Sequence, residues 1–179
     1  MPKMNTFVFM NTDLTFQRAS ADQVDEILVV IEHAKRQLAT SGSDQWQDGY
    51  PNRASIEEDI RHKWGYVLTT PQHQIAAYGA IVFDGEQAYN DLEGSWTTDQ
   101  NYVVVHRLAV AEGMKHRGIA SEFMRRTETL ASSKGIHAFR IDTHQLNVIM
   151  LQLLQRFGFT YCGIVRYGTG IRKAFEKTI

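Results

Sequence analysis

An apolar, β-branched run, Val103-Val104-Val105-His106-Arg107-Leu108-Ala109-Val110, is followed by Gly113-Met114-Lys115-His116-Arg117-Gly118-Ile119-Ala120-Ser121. The first reads as a buried strand. The second reads as a short glycine-containing loop that opens an amphipathic helix. Such a junction lines up several backbone N–H groups at a positively polarised helix N-terminus, where a phosphate or pyrophosphate is favoured. Lys115, His116 and Arg117 add cationic side chains at the same point. The residues therefore point to a ligand that carries a diphosphate.

Two phosphate motifs fail on these residues. Gly113 and Gly118 have P-loop spacing, but Ile119 and Ala120 stand where that motif needs Lys and Ser or Thr. The dinucleotide fingerprint has only one of its three glycines in register. The pattern that fits is the acetyl-CoA loop of the GNAT acetyltransferase superfamily: Gln or Arg, two residues, Gly, one residue, Gly or Ala. It falls on Lys115, Gly118 and Ala120, with Lys in place of the usual first residue. Leu108-Ala109-Val110 resembles the family's strand beside the pantetheine arm. The stretch from Asn147 to Phe159, closing on Gly158-Phe159, resembles its second conserved helix. The resemblance is clearest over residues 103 to 165.

The resemblance implies an acetyl-CoA-dependent N-acetyltransferase acting on a primary amine, a small molecule before a protein or peptide. A CoA-binding module without turnover is the alternative of a different class. Direct attack of the amine on the thioester needs no enzyme nucleophile, so the lack of a nucleophile elbow is no objection. It needs a base for the amine, donors for the thioester oxygen and a proton for the departing thiolate. By the resemblance, Arg117-Gly118-Ile119-Ala120-Ser121 offer backbone N–H groups to the pyrophosphate, Leu108 or Val110 offers one to the oxygen, and Asn147 faces the pantetheine. Asn147 is equally suited to cap the helix after it. Lys115 and Arg117 serve the phosphates or are solvated charges.

The base and acid are less clearly marked. Some relatives carry glutamate where this chain has Val104, and many carry an acidic tyrosine where it has Leu154. Strand alternation puts Val104, His106 and Leu108 on one face, which makes His106 the titratable candidate there; core packing is its other role. Glu93, in the acidic stretch Asp84 to Asp99, is the competing candidate. Tyr161, Tyr167 or water could replace the missing acid. Trp46, Tyr50, Trp96 and Tyr102, together with Asp91 and Glu93, would suit a cationic amine. The remaining histidines lack paired ligand spacing, and no metal is expected.

These residues need a scaffold. A chain of 179 residues fits one domain spanning 1–179. Asp13 to Arg18 reads as a strand, and Ser20 to Gln23 as a capping box for a helix through Leu38. Ser55 to Glu58 reads as a second cap, for a helix to about Lys63. Gly65 to Thr70 and Ile75 to Phe83 read as a hairpin. Asp84 to Asn101 is polar and turn-rich. After strand 103–110 and helix 118–133 come strand 138–143, helix 147–156, strand 159–165 and a last edge strand at 173–176. The order β-α-α-β-β-β-α-β-α-β implies an α/β sheet with helices on both faces. The resemblance adds central strands that splay apart around the cofactor.

The net charge of −1 gives no general attraction to nucleic acid or membrane. Cys162 is the single cysteine, which suits a reducing cytoplasm rather than a disulfide scaffold. Met1 to Asn11 reads as neither a signal peptide nor a span. A homodimer is compatible with the sequence and not required by it.

Overall fold

The computed structural model describes residues 13–168 and 170–179, so the reading of Met1 to Asn11 lies outside the described residues. Helix α1, Val24–Thr40, follows a 3₁₀ turn opened by the expected Ser20–Gln23 capping box. It buries Val24, Ile27, Val30 and Ile31 at helical spacing. Helix α2, Arg53–Arg61, begins three residues earlier than Ser55 suggested. Asn52 is the N-cap and accepts from the Ser55 N–H, while the Ser55 hydroxyl returns the bond to the Asn52 backbone. Ser55 is thus the second half of the box, not its first. Helix α3, Ile119–Ser133, starts at Gly118 in the left-handed region, φ 73°. Helix α4, Val148–Arg156, is capped by Asn147.

Among the described residues, eight strands make one sheet: β1 Thr15–Arg18, β2 Gly65–Thr69, β3 Ile75–Val82, β4 Glu93–Gly94, β5 Tyr102–Val110, β6 Ala138–Thr143, β7 Thr160–Tyr167 and β8 Gly170–Thr178. Their order is β1-β2-β3-β5-β6-β8-β7-β4. All neighbours are antiparallel except β5 and β6. The last strand is longer than the sequence suggested, and it is not an edge. It lies between β6 and β7, pairing with β6 from Lys173 to Thr178 and with β7 from Gly170 to Glu176. The added strand β4 forms one edge inside the stretch read as polar turns. Helices α1 and α2 cover one face over Val67, Tyr78 and Ala109. Helices α3 and α4 cover the other through Phe123, Met124, Leu153 and Leu154.

Two irregularities shape the centre. First, β5 and β6 pair only from Tyr102–Ala138 to Val104–Arg140. Beyond that point the two strands part, which leaves a wedge between Val105–Val110 and Ile141–Thr143. Second, β5 bulges against β3. Ala80 pairs with His106 and Tyr78 with Ala109, so Arg107 and Leu108 together face Gly79. The bulge reverses the strand's parity. Val103 and Val105 pack toward α3, and so do Leu108 and Val110, whereas Ala109 packs toward α1. Simple alternation had put Leu108 on the His106 face, and the extra residue overturns that.

Candidate active site

The wedge opens into a cleft of about 1640 Å³. Ligand pockets usually hold about 300–1,000 Å³, so this one has room for two reactants together. One half is walled by the apolar side chains Leu108, Val110, Ile141 and Leu153 and ends at the α3 loop. Lys115, His116, Gly118, Ile119, Ala120, Ser121 and Asn147 all line it, as does Ala109; Arg117 is exposed and outside the lining. Within the loop, His116 and Gly118 both have left-handed backbones, φ 60° and 73°. This turns the chain sharply before the helix. Glycine holds that geometry freely, whereas histidine does so at a cost. The first N–H groups of α3 have no partner within the helix. They lie where the wedge ends, a fit for an anionic diphosphate.

Lys115 does not extend from the loop as a free cation. Its ammonium donates to His33 Nε2 at 2.8 Å and to Gln37 Oε1, both on α1. Desolvation there lowers its pKa. His33 Nδ1 faces Glu112 at 3.5 Å. The cationic position of the motif therefore braces the loop against α1.

The bulge is held from beneath. Arg107 has φ 57°, a conformation that costs a non-glycine residue on the order of 1–3 kcal/mol. Its guanidinium makes a two-pronged ion pair with Asp59 of α2, with Nε 2.8 Å from Oδ2. Asp59 is 1% exposed and also accepts from the Tyr78 hydroxyl at 2.5 Å. The Ala111 N–H donates to Ala76 O on β3. By alternation the Leu108 and Val110 N–H groups turn away from β3, toward the wedge.

The connection between α1 and α2, residues 41–52, straps across the wedge. Tyr50 Oη accepts from Arg107 on the β5 arm. Asp44 Oδ1 lies 3.0 Å from His144 Nε2 beyond the β6 arm. His144 Nδ1 accepts the Leu146 N–H at 3.1 Å, so Nε2 carries the proton and donates to Asp44. Trp46 and Tyr50 thereby join the cleft wall.

Under the strap sit Glu86, His106, Asp142 and Tyr167. His106 Nε2 is 3.1 Å from Glu86 Oε2. The hydrogen bond from His106 holds the Glu86 carboxyl below its usual range, against the opposing effect of burial. Asp142 Oδ2 accepts from Tyr89 Oη at 2.8 Å and Tyr167 Oη at 2.9 Å. Burial pushes the Asp142 carboxyl up and both phenols well above their ordinary range.

Of the two candidate bases, only His106 is in the cleft. Glu93 is exposed on edge strand β4 and ion-paired with Arg166, and Asp91 is exposed nearby; neither lines the cleft. Glu86 is the acidic residue of that stretch that does. Trp96 and Tyr102 sandwich Arg140, with ring centroids 4.2 and 4.1 Å from Cζ, away from the strap. Leu154 is fully buried in the core under α3. Tyr161 is 53% exposed and packs edge-on against Phe175, so of these two tyrosines Tyr167 is the one that reaches the cleft. Cys162 is buried in the sheet, and burial raises its thiol. Among the described residues, no group of three His, Cys, Asp or Glu side chains is placed to hold a metal ion. Nor is any helix among them long and apolar enough to cross a membrane.

A family model described as Acetyltransferase (GNAT) family matches residues 31–159. An acetyltransferase of the GNAT family from Streptococcus agalactiae is 35% identical, covers 93% of this chain and 95% of its own, and superposes with a TM-score of 0.84. A GNAT-family acetyltransferase from Listeria monocytogenes shares the fold at 20% identity and TM-score 0.74, covering 93% of this chain and 95% of its own. The PaiA N-acetyltransferase of Thermoplasma acidophilum, solved in complex with coenzyme A, does so at 15% identity and TM-score 0.70, covering 93% and 99%. No curated protein matched the sequence. The fold is that of an acetyltransferase. The chain belongs to the GNAT acetyltransferase family, and its activity is acetyl transfer that depends on acetyl-CoA.

Proposed function

We propose that the acceptor is a small-molecule primary amine, bound under the strap of residues 41–52, and that the whole chain acts as one acetyltransferase domain. The observation that carries this reading is the strap itself. It is tied to both arms of the wedge, by Tyr50 to Arg107 and by Asp44 to His144, and it roofs the half of the cleft that holds His106. A roofed site suits a compact acceptor better than a peptide strand, which needs an open groove. Glu86 and Asp142 below the roof suit an acceptor that arrives as an ammonium.

In this reading acetyl-CoA, which supplies the reactive thioester, runs along the wedge. The N–H groups of Gly118 to Ser121 receive its pyrophosphate, and Asn147 stands beside the pantetheine. The Leu108 and Val110 N–H groups would donate to the thioester oxygen and stabilise its developing negative charge. His106, oriented by Glu86, takes the proton from the amine. Tyr167 lines the cleft, but Asp142 holds its hydroxyl and burial raises it, so water is the better proton source for the departing thiolate. A cytoplasmic setting is in keeping with the single cysteine.

The test is CoA release from acetyl-CoA against a panel of small primary amines, run beside peptides with free N-termini and lysines. Turnover with small amines and none with peptides is the expected result. Turnover confined to peptides would overturn the choice of acceptor. Tight CoA binding without turnover on any acceptor would favour the non-catalytic module.

A further inference from the structure

We infer that Asp59, buried on α2 away from the reacting atoms, is a positioning residue for the reaction, because its ion pair with Arg107 holds the left-handed backbone that turns the Leu108 N–H into the wedge. The inference rests on the reading of Leu108 as an oxygen donor given above.

Arg107 is the only bulge residue in β5 with a positive φ, and neither a glycine nor an asparagine is there to accept it readily. Something outside the strand must select that conformation. Asp59 grips the guanidinium through Nε and Nη2, and the third nitrogen reaches Tyr50 in the strap. Tyr78 Oη, from the β3 residue paired with Ala109, fixes the carboxylate from the other side. Both carboxylate oxygens are thus bonded to groups that belong to the two strands flanking the bulge. The arrangement reads the backbone at 107 through its side chain. If the carboxylate is lost, Arg107 is free to return to an extended conformation, and the next amide turns with it. The same guanidinium couples the bulge to the strap, so the donor and the acceptor roof are set together.

Three variants separate this role from simple stability: Asp59→Asn, Asp59→Asn with Arg107→Gly, and Asp59→Asn with Arg107→Ala. Glycine adopts the left-handed region without help and alanine does not, so the two doubles differ chiefly in backbone preference. Each is assayed for kcat and both KM values well below the lowest unfolding midpoint, and its crystal structure is solved for φ at 107. In Asp59→Asn we expect φ to leave the left-handed region and kcat to fall on the order of tenfold to a hundredfold, as a small misplacement of a catalytic group does. The KM for acetyl-CoA should stay near that of the parent. The glycine double should keep a positive φ and recover most of kcat, while the alanine double should not. A φ unchanged in Asp59→Asn, or equal kcat for the two doubles, would overturn the inference. A φ that moves as expected with kcat unaffected would leave Asp59 as the backbone clamp and remove Leu108 as the donor, which is the failure of the underlying reading instead.

Discussion

His106 and Glu86 meet 3.1 Å apart just past Val104, the last β5 residue paired with β6, where the two strands begin to part. The contact joins a residue of the central strand to the polar connection after β3. It places the only histidine of β5 and a half-buried carboxylate at the inner end of the cleft. A carboxylate that orients an imidazole is a common partner of a general base.

Replacing His106 by Gln should lower kcat by about a hundredfold or more, the usual loss when a general base is removed. The acidic limb of the rate–pH profile should disappear, and CoA affinity by calorimetry should be unchanged. Glu86→Gln should lower kcat less, because the imidazole stays but loses its ionised partner. Equal rates and profiles in parent and His106→Gln would assign the histidine to packing.

Gly118→Asp tests the cofactor loop. Aspartate tolerates the left-handed backbone better than most residues, so the helix should still form and the circular dichroism should be that of the parent. Its carboxylate would face the pyrophosphate across the α3 N-terminus. Calorimetry should show CoA binding largely abolished, and binding at parental affinity would place the diphosphate elsewhere.

The parts of the site that read clearly from the sequence are those set by local chain chemistry. Gly118 marks a left-handed N-cap, and Asn147 is a cap that also faces the cleft. Helices α1, α3 and α4 follow from the spacing of their buried residues. What alternation missed is non-local. The bulge at Arg107 carries no glycine, and its conformation depends on Asp59 almost fifty residues earlier. The one local trace is His106-Arg107, two polar residues in succession within a buried strand, where strict alternation allows one. Glu86 and Asp142 line one cleft although far apart in the sequence, and Tyr89 bonds Asp142 from the polar stretch after β3, so none of this is local. The interior place of β8 likewise depends on pairing across the sheet, which a short amphipathic run cannot reveal.

Leu154 occupies the position where many relatives carry a tyrosine acid, yet its side chain is 0% exposed and packed among the core residues under α3. Leu154→Tyr should not create an acid. It should destabilise the fold by about 1–3 kcal/mol, through added volume in a filled core and a hydroxyl without a partner. Thermal unfolding should show the loss, and kcat at a temperature where the variant is folded should not rise. A gain in kcat would mean that the helix can turn this position into the cleft.

The Asp142 carboxyl makes the stability of the fold depend on pH. That carboxyl is raised in the folded protein because burial penalises the charge, and this outweighs the nearby His106 and the two tyrosine hydroxyl bonds, which favour the ionised form. A carboxyl with a folded pKa above the unfolded value binds its proton more tightly in the native state. Its contribution to stability is therefore complete below the unfolded pKa, the ordinary aspartate value of about 3.9. It is lost as pH rises through the raised folded value. Asp142→Asn keeps an oxygen that can accept both hydroxyls and removes the ionisation. Denaturant unfolding of parent and variant across that window should show the difference in stability shifting steadily in favour of the variant as pH increases, then levelling once the parent's carboxyl is fully ionised. A difference that moves the other way would show that the groups favouring the ionised form win over burial, and a flat one that they cancel it; either would overturn the raised carboxyl.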